Sequence, residues 1–269
     1  MPESGPIELS WIELGLAATL LLVNGVVSTW LGLGLGRRLL VAGVRTVVQL
    51  TLLGYVLVYV FEVQHGLLVA AMAAVMVVLA AIESVRRTRH RYRGIRRDAF
   101  LSLIVAAGVS TLLVTAIVVR PAPWWAPRYL IPLLGMVLGN GLTGISLGLE
   151  RCLTSFDDGR DAVELSLAAG ATPWEAARPV AAESIRTGLI PILNSMSVVG
   201  LVTIPGMMTG QLLGGTSPGL AARYQMLVMF LIAGATAAGT TGVVLFGVRA
   251  LFDRAGRLRS ERITAAGRG

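Results

Sequence analysis

The sequence predicts an all-α integral membrane protein with about seven transmembrane helices, in a single membrane domain over residues 1–269. Composition supports this fold class. The chain is 55% hydrophobic, with a mean hydropathy of +0.74, and soluble domains rarely reach such values. Apolar runs of roughly 20 residues also recur along the chain, and a helix of that length crosses a hydrocarbon core of about 30 Å.

Seven apolar spans follow one another, separated by polar or basic segments. The predicted spans are 9–35, 39–61, 66–82, 99–119, 129–149, 185–205 and 226–248. Spans five and six are joined by a longer and more polar segment, residues 150–186, which is predicted to form a cytoplasmic hairpin.

The distribution of arginine predicts the orientation of the spans. All 23 basic residues are Arg. If the N-terminus lies outside, nineteen of them fall in loops on one side, whereas Arg120, Arg128 and Arg223 fall on the other. Because basic residues are enriched in cytoplasmic loops, we predict an outside N-terminus and a cytoplasmic C-terminus. The basic tail, residues 254–269, is then cytoplasmic.

Two short runs agree with this orientation. The run RPAPWWAPRY places Trp124, Trp125 and Tyr129 at the predicted outer interface, where amphipathic rings accumulate. The run RRTRHRYRGIRR (86–97) is a short loop tethered between two spans, so we expect it to lie near anionic lipid headgroups. The net charge of +8 therefore favours membrane lipid and not nucleic acid as a partner. We predict a multi-pass protein of the cell (inner or plasma) membrane.

The absence of Lys excludes an ordinary ATP-binding P-loop, in which a Lys reaches the β- and γ-phosphates. If the protein uses ATP, a partner subunit must bind the ATP and Mg²⁺, and we expect no cofactor to be bound by this chain. The single Cys, Cys152, excludes an internal disulfide. The two His, His65 and His90, lie on opposite sides of the predicted membrane. No catalytic set of residues is visible, so we do not expect an enzyme.

The hairpin segment contains the signals for two helices and a sharp turn. The run DAVELSLAAG (161–170) predicts a helix that stops at Gly170, because Gly is favoured just beyond a helix C-terminus. A second helix is predicted to begin at Pro173, the favoured first position for Pro. Thr172 before it and Glu175 at its third position form a capping box.

The second helix of the hairpin presents Trp174 and Arg178 on one face, because residues four apart are neighbours on a helix. Pro179 is expected to kink the helix. An ordinary connector does not need an exposed Trp in its first turn. A short amphipathic element with a Trp is typical of docking into a groove of a partner protein.

Glu164, with Gly170 six residues later, and the run GATPWEAARPV resemble the EAA loop of ABC-transporter permeases. In that family the loop forms a coupling helix that fits a cleft on the ATP-binding subunit. The resemblance implies that segment 164–178 couples to such a subunit. The implied coupling residues are Glu164, Gly170, Ala171, Thr172, Pro173, Trp174 and Arg178.

Two further runs narrow the resemblance. The run GVRTVVQLTLLGYVL (43–57) carries an Arg and a Gln in span two. The run PGMMTGQ (205–211) is followed by Gly214, Pro218, Ala221, Tyr224 and Gln225. With its seven spans, the chain is similar to the FetB-type iron-export permeases and to the plant aluminium-tolerance permeases. This resemblance implies a permease that pairs with a separate ATPase subunit and is linked to iron efflux, and we expect it to work as a homodimer.

Candidate substrate-pathway residues lie in spans two and five. Arg45 is the one charge well inside a span, and such a charge is a functional candidate, although its long side chain could instead reach the interface. Gln49 lies one turn further, and Glu83 could pair with Arg45. Asn140, in span five, could bond across helices at a close approach or face the pathway.

The run PGMMTGQ breaks span six at its predicted outer end. Such a break is tolerated where the freed backbone faces protein or a water-filled cavity, so we predict a broken or re-entrant segment at the mouth of the pathway. A plain outer loop is the alternative. Either its oxygens or its sulfurs would meet the substrate. The candidates are Pro205, Gly206, Met207, Met208, Thr209, Gly210 and Gln211.

Iron prefers carboxylate and imidazole ligands, yet no Asp, Glu or His lies deep in any predicted span. The metal ligands are therefore unknown, and iron would pass through weak oxygen ligands, leave as a complex, or not be the substrate. An ABC permease for another metal, a metal complex or a nucleotide sugar is an alternative. An ATP-independent secondary transporter is a further alternative. Such transporters typically have inverted repeats and ionisable groups deep in the membrane, and the sequence shows neither.

Overall fold

A computed structural model describes residues 9–265, so the predicted features at 1–8 and 266–269 lie outside the described residues. The described chain is almost entirely helical. Its helices are α1 (Trp11–Trp30), α2 (Gly36–Val63), α3 (Gly66–Arg86), α4 (Ile95–Leu103), α5 (Ser110–Leu113), α6 (Pro127–Asp158), α7 (Arg160–Ala168), α8 (Pro173–Val198), α9 (Gly206–Leu213) and α10 (Pro218–Leu251). Two π-helical segments, Ile104–Val109 and Val114–Val119, a 3-10 helix, Ser260–Arg262, and two short strands, β1 (His90–Arg91) and β2 (Thr264–Ala265), complete the fold.

Six helical stretches are long and apolar enough to cross a membrane. They are α1, α2, α3, the stretch Ile95–Val119, α6 and α10. The predicted span 185–205 corresponds to the second half of α8 and the irregular chain after Val198. Helix α8 is not among the six, because polar residues such as Glu183, Arg186 and Asn194 lie along it from its middle onward. The chain is thus a multi-pass helical membrane protein with six candidate spans among residues 9–265, and the count of seven stays a prediction.

Helix α8 ends earlier than the predicted span. It is one helix through Pro179 and Pro191, and the kink expected at Pro179 stays a prediction. A Pro removes one backbone hydrogen bond, and the packing of α8 against α6 and α10 keeps the helix continuous. The helix ends at Val198, short of Pro205, because Val199 is extended and Gly200 takes a φ of +80°.

The centre of the bundle is the contact between α6, α8 and α10. A Cβ atom added at Gly144 would lie 2.7 Å from Oγ1 of Thr240, and one added at Gly148 would lie 2.8 Å from Cγ2 of the same residue. Gly188 on α8 is packed as closely. Lipid supplies little hydrophobic drive for helices to associate, so close van der Waals contact between small residues holds them together.

Helices α1 and α2 pack on each other at the periphery. Most of their apolar side chains are exposed, including Leu16 and Leu50, which suits contact with lipid. The last turns of α2 join the bundle through Val60, which is buried with Val69 of α3 and Leu130 of α6.

The bundle has two chemically different ends. Helix α6 is 32 residues long, which corresponds to about 48 Å, and connects them. The aromatic end comprises loop 120–126, with Trp124 and Trp125, and α9. The basic end comprises loop 87–94, α7 and residues 252–265. There β1 pairs antiparallel with β2, His90 opposite Ala265. The Arg-rich segments therefore share one end, as the predicted topology requires, and the side of the membrane that each end faces stays a prediction.

Candidate functional site

The turn between α7 and α8 has the geometry that its sequence predicts. Helix α7 ends at Ala168, and Gly170 takes a φ of +93°. The N–H of Gly170 donates to the carbonyl of Leu167 at 3.0 Å, and the N–H of Ala171 donates to that of Ser166 at 3.1 Å. This pair of bonds is a Schellman motif, in which Gly is favoured at the left-handed position. The turn is therefore fixed by its own backbone hydrogen bonds.

The predicted capping box at the start of α8 is present. The backbone N–H of Thr172 donates to the Glu175 carboxylate at 2.8 Å, and the N–H of Glu175 donates to the Thr172 hydroxyl at 3.3 Å. The hydrogen bond from the Thr172 backbone, followed by the one from its hydroxyl, lowers the pKa of Glu175 below its ordinary value of 4.5. Such a cap contributes about 1 kcal/mol to helix stability, so α8 begins sharply at Pro173.

The first turns of α8 have one buried and one exposed face. Ala176 and Ala177 are buried, whereas Trp174 is 51% exposed and Arg178 is exposed. On α7, Glu164 accepts a hydrogen bond from Arg160 at 2.7 Å. The hairpin therefore exposes Trp174 and Arg178 to solvent on the second of two helices joined by a short turn. The structure places all seven implied coupling residues, from Glu164 to Arg178, in this hairpin.

The residues after α10 form a compact turn that packs against the hairpin, a contact that the sequence did not reveal. Asp253 accepts hydrogen bonds from the N–H groups of Ala255 and Arg257, both at 2.9 Å, and these bonds, with burial opposing them, lower its pKa. The turn brings Gly256 (φ +77°) so close to Pro173 that an added Cβ would lie 3.0 Å from its Cγ. The turn after α10 therefore packs directly against the first residue of α8.

Loop 87–94 is fixed to the other helices of the basic end. The backbone N–H of Arg89 donates to Glu150 of α6 at 2.6 Å, and the His90 ring lies 3.6 Å from that carboxylate. The hydroxyl of Tyr92 is buried and donates to Asp98 at 2.9 Å. Burial, and then the bond to Asp98, raise the pKa of Tyr92. The loop is therefore ordered and not merely solvated.

At the aromatic end, two adjoining pockets contain several of the predicted pathway residues. The deep pocket has a volume of about 280 Å³ and is lined by Asn140, Pro205, Gly206 and Met207 together with other residues. The mouth pocket has a volume of about 230 Å³ and is lined by Met207 and Gln211 among others. Met207, Met136 and Val228 line both, so the two pockets adjoin one another.

The rest of the PGMMTGQ run is arranged around these pockets. It forms helix α9 and not a plain loop, and the chain between Val198 and Gly206 is irregular. This is the helix break that the sequence predicts. Met208, Thr209 and Gly210 line neither pocket, and the Thr209 hydroxyl donates to the carbonyl of Pro205 at 3.2 Å. Whether the segment re-enters the membrane stays a prediction.

Arg45 and Gln49 are placed away from these pockets. Both are exposed on α2, and Arg45 lines a separate surface pocket with Arg37 and Arg38. The predicted partner of Arg45, Glu83, lies instead 3.6 Å from Arg86 and 4.0 Å from Arg87. The paired charges therefore belong to α3 and its end.

Asn140 faces the deep pocket, and its side chain bonds within its own helix and not across helices. Its side-chain amide donates to the carbonyl of Met136, on its own helix, at 2.9 Å, and it lines the deep pocket. Gly139 beside it has nothing within 4 Å of an added Cβ, so this is not the close helix approach. That approach lies further along α6, at Gly144 and Gly148.

Two pocket residues were not selected from the sequence. Gln225 of α10 is 7% exposed, lines the deep pocket, and its Oε1 accepts no hydrogen bond from the described chain. The Oε1 of Gln211 is likewise buried and without such a partner. A buried polar atom left unpaired costs about 1–3 kcal/mol. Gln225 could have been found from its place among the motif residues that follow PGMMTGQ. The second residue, Arg128, lines the mouth pocket and had no signal beyond its charge.

The fourth membrane-length stretch contains another unusual feature. Its two π segments flank α5, and π-helical turns occur frequently at functional sites. The hydroxyls of Thr111 and Thr115 are buried there without a partner among residues 9–265. Across the same described range, no group of three or more His, Cys, Asp or Glu side chains could hold a metal ion.

These features define a helical, multi-pass membrane protein with an exposed capped hairpin at one end and two joined pockets at the other. The profile of the "Uncharacterised protein family (UPF0014)" matches residues 11–252, and the chain belongs to this family. It is similar to the UPF0014 membrane protein slr1647 of Synechocystis sp., with 36% identity over 252 residues, which cover 94% of this chain and 97% of that protein.

Two further relatives confirm the resemblance drawn from the PGMMTGQ signature. The chain is 30% identical over 220 residues to the "Probable iron export permease protein FetB" of Escherichia coli, covering 82% of this chain and 83% of that one. It is 32% identical over 191 residues to "Protein ALUMINUM SENSITIVE 3" of Arabidopsis thaliana, covering 71% and 68%. No solved structure matches the chain significantly.

Proposed function

We propose that this chain is the membrane-spanning permease subunit of an ABC transporter that exports iron or a related metal. A separate ATPase subunit binds ATP and Mg²⁺ and docks on the hairpin 164–178, and two copies of the permease work together. The name of the Escherichia coli relative supports iron or a related metal as the substrate. The exposed, capped hairpin supports docking of an ATPase subunit.

One observation carries the proposal: α8 links the hairpin directly to the pockets. Its first turn exposes Trp174, its middle is packed between α6 and α10, and Ile192 and Ser195 near its end line the deep pocket. A continuous helix of 26 residues, about 39 Å long, transmits displacement of one end to the other. Movement of the ATPase would therefore change the shape of the pockets.

The coupling is tested by removing the exposed aromatic ring. Trp174→Ala should weaken association with the cognate ATPase at least tenfold, because exposed Trp residues are frequent binding hot spots. Trp124→Ala is the matched control, since Trp124 is similarly exposed (53%) but lies at the opposite end. Co-purification and titration of the ATPase onto the permease in nanodiscs provide the measurement. Equal effects of both substitutions would contradict docking at the hairpin.

The turn itself gives a second test. Nothing lies within 4 Å of an added Cβ at Gly170, but its φ of +93° is strained for any other residue. Gly170→Val should therefore uncouple ATP hydrolysis from transport while the helices still fold. Retention of ATP-dependent metal flux by this variant would remove the coupling role of the turn.

A different substrate is favoured by one observation, the absence of a metal-ligand cluster among residues 9–265. An ABC permease for a metal complex or a nucleotide sugar needs no such cluster. ATP-dependent flux in vesicles, measured for Fe, Mn, Cu and a nucleotide sugar, distinguishes these substrates. Flux that needs no ATPase subunit would instead identify a secondary transporter.

A further inference from the structure

The charges around the mouth and deep pockets are of one sign. Arg128 lines the mouth pocket, and within the described part of the chain no Asp or Glu lines either pocket. None of the ion pairs among residues 9–265 involves Arg128. A bare divalent cation entering here would lose water, gain no anionic ligand and meet a guanidinium.

The polar groups of the pockets are suited to a ligand rich in oxygen. The guanidinium of Arg128 has five N–H donors in a planar fork, and Tyr224 beside it adds a hydroxyl. Planar guanidinium groups bind carboxylate and phosphate oxygens in a bidentate manner. Gln211 of the mouth pocket and Gln225 of the deep pocket each have a buried amide oxygen without a partner among residues 9–265. Because the amide oxygen and NH2 group exchange places when the side-chain amide flips, each residue can present two N–H donors to the oxygens of a ligand.

The dimensions also favour a molecule over an ion. Metal ions are held by ligands at about 2.0–2.6 Å, whereas the two pockets measure about 230 and 280 Å³. They meet at Met207, whose flexible side chain can adapt to different shapes. A ligand of several non-hydrogen atoms is needed to reach from Arg128 to Gln225.

We infer that the two pockets bind an anionic, oxygen-rich small molecule, free or carrying a metal ion, through Arg128, Gln211 and Gln225. The inference rests on the proposed permease function, and it specifies the class of substrate. It also agrees with the lack of a metal-ligand cluster among residues 9–265, because a metal that travels as an anionic complex brings its own ligands. Arg128 attracts the negative charge of the complex, and the NH2 groups of the two amides donate to its oxygens.

The test measures equilibrium binding to the full chain in phosphatidylcholine nanodiscs, without ATPase or transport. The probes are radiolabelled citrate, ferric citrate, inorganic phosphate and ferrous iron. We expect saturable binding of at least one of the three oxyanion probes and none of ferrous iron. Citrate binding without iron indicates a free oxyanion, and binding of ferric citrate alone indicates a metal complex.

The variants identify the residues. Arg128→Gln should weaken oxyanion binding at least tenfold, and Gln225→Leu about as much, whereas Arg223→Gln should leave it unchanged. Arg223 is a matched control because it is also an exposed Arg of the aromatic end and lines neither pocket. Gln225→Glu, which keeps the shape and adds a negative charge, should lower oxyanion binding as well. A stability measurement on each variant excludes misfolding.

Three results would overturn the inference. They are saturable binding of ferrous iron without oxyanion binding, equal losses in Arg128→Gln and Arg223→Gln, and loss of citrate binding when phosphatidylglycerol is added, which would assign Arg128 to lipid headgroups. Because the assay contains no ATPase, these results are independent of the coupling experiments. If oxyanions bind but no ATP-dependent flux is found, the inferred binding site stands and the proposed transport function is contradicted.

Discussion

Gly188 of α8 lies directly against Thr240 of α10. A Cβ atom at position 188 would be 2.5 Å from Cγ2 of Thr240 and 2.6 Å from the carbonyl oxygen of Gly144 on α6. Real Cβ atoms do not approach other atoms so closely, so the three helices meet at a point with no free space. Helix α8 carries the hairpin at its start and lines the deep pocket near its end. The contact at Gly188 therefore packs the helix shared by both candidate sites against α6 and α10.

The first prediction concerns this contact. Gly188→Ala should lower the free energy of unfolding by about 1–3 kcal/mol, the usual cost of overpacking. Gly139→Ala on α6 is the control, because nothing lies within 4 Å of an added Cβ there, and its stability should be unchanged or slightly higher. Denaturant unfolding in detergent micelles provides the measurement. Equal destabilisation by the two substitutions would contradict the contact as the cause, because Ala has a higher helix propensity than Gly and Gly139 has no close neighbour.

The second prediction uses Gly148, whose added Cβ would lie 2.8 Å from Cγ2 of Thr240, with the next contact at 3.4 Å. Ser lacks that methyl group, so Thr240→Ser should recover most of the stability lost in Gly148→Ala. It should not rescue Gly188→Ala, because the carbonyl of Gly144 is backbone and cannot be removed. The three single and two double variants form two mutant cycles that share Thr240→Ser, and the same rescue in both cycles would contradict this geometry.

The third prediction separates oxygen from sulfur at the pockets. Met207→Leu keeps the size and apolar character of a side chain that lines both pockets, so ATP-dependent flux should fall less than twofold. Gln211→Leu removes an amide of the mouth pocket and should reduce flux at least tenfold. Met208→Leu, at a position that lines neither pocket, should have no effect. If the thioether binds the substrate, Met207→Leu will lose as much flux as Gln211→Leu.

The fourth prediction concerns pH and Glu175. Its pKa is lowered on folding, so its stabilising effect on the hairpin is complete above the ordinary value of 4.5 and is lost as the pH falls through the lower folded value. Amide exchange over residues 160–178, corrected for intrinsic rates, should therefore increase below pH 4.5. Glu175→Gln retains the capping geometry but cannot titrate, and its exchange should not depend on pH in this range. Parallel behaviour of the two proteins would refute the assignment.

The fifth prediction concerns the turn after α10. Asp253→Ala removes the acceptor of the N–H groups of Ala255 and Arg257, so amide exchange at both positions should rise at least tenfold. The contact of Gly256 with Pro173 should loosen, and ATPase association should weaken with it. Glu261→Ala is the control, since this residue is exposed and its carboxylate accepts from the Arg259 side chain at 3.3 Å, away from the N–H groups of the turn. If Asp253→Ala binds the ATPase as well as the unmodified protein does, the turn after α10 does not contribute to ATPase docking.

The local features of the hairpin could be predicted because each depends on a few adjacent residues. The Schellman stop at Gly170 and the box of Thr172 and Glu175 are set by backbone hydrogen bonds within one turn. The packing of α8 against α6 and α10 could not be predicted in this way, because it brings together residues far apart in the chain.

The candidate pockets were predictable only in part. The break before α9 is encoded by Pro205 and its neighbouring glycine, and Asn140 was recognisable as a polar residue in an apolar run. The role of Gln225 was not, because its neighbours in space belong to α6 and α8. The pairing of Glu83 with Arg86 and Arg87, and not with Arg45, likewise depends on which helix faces which.

The sequence by itself determined the membrane class, the helical character, the clustering of Arg in particular segments and the geometry of the capped hairpin, because periodicity, hydropathy and capping act over short distances along the chain. Only the tertiary structure decided that Gly256 packs against Pro173, that Gly144, Gly188 and Thr240 meet, and that Arg128 and Gln225 line adjoining pockets with no carboxylate among residues 9–265. These relationships join residues far apart in the chain, and their geometry follows from how three helices pack.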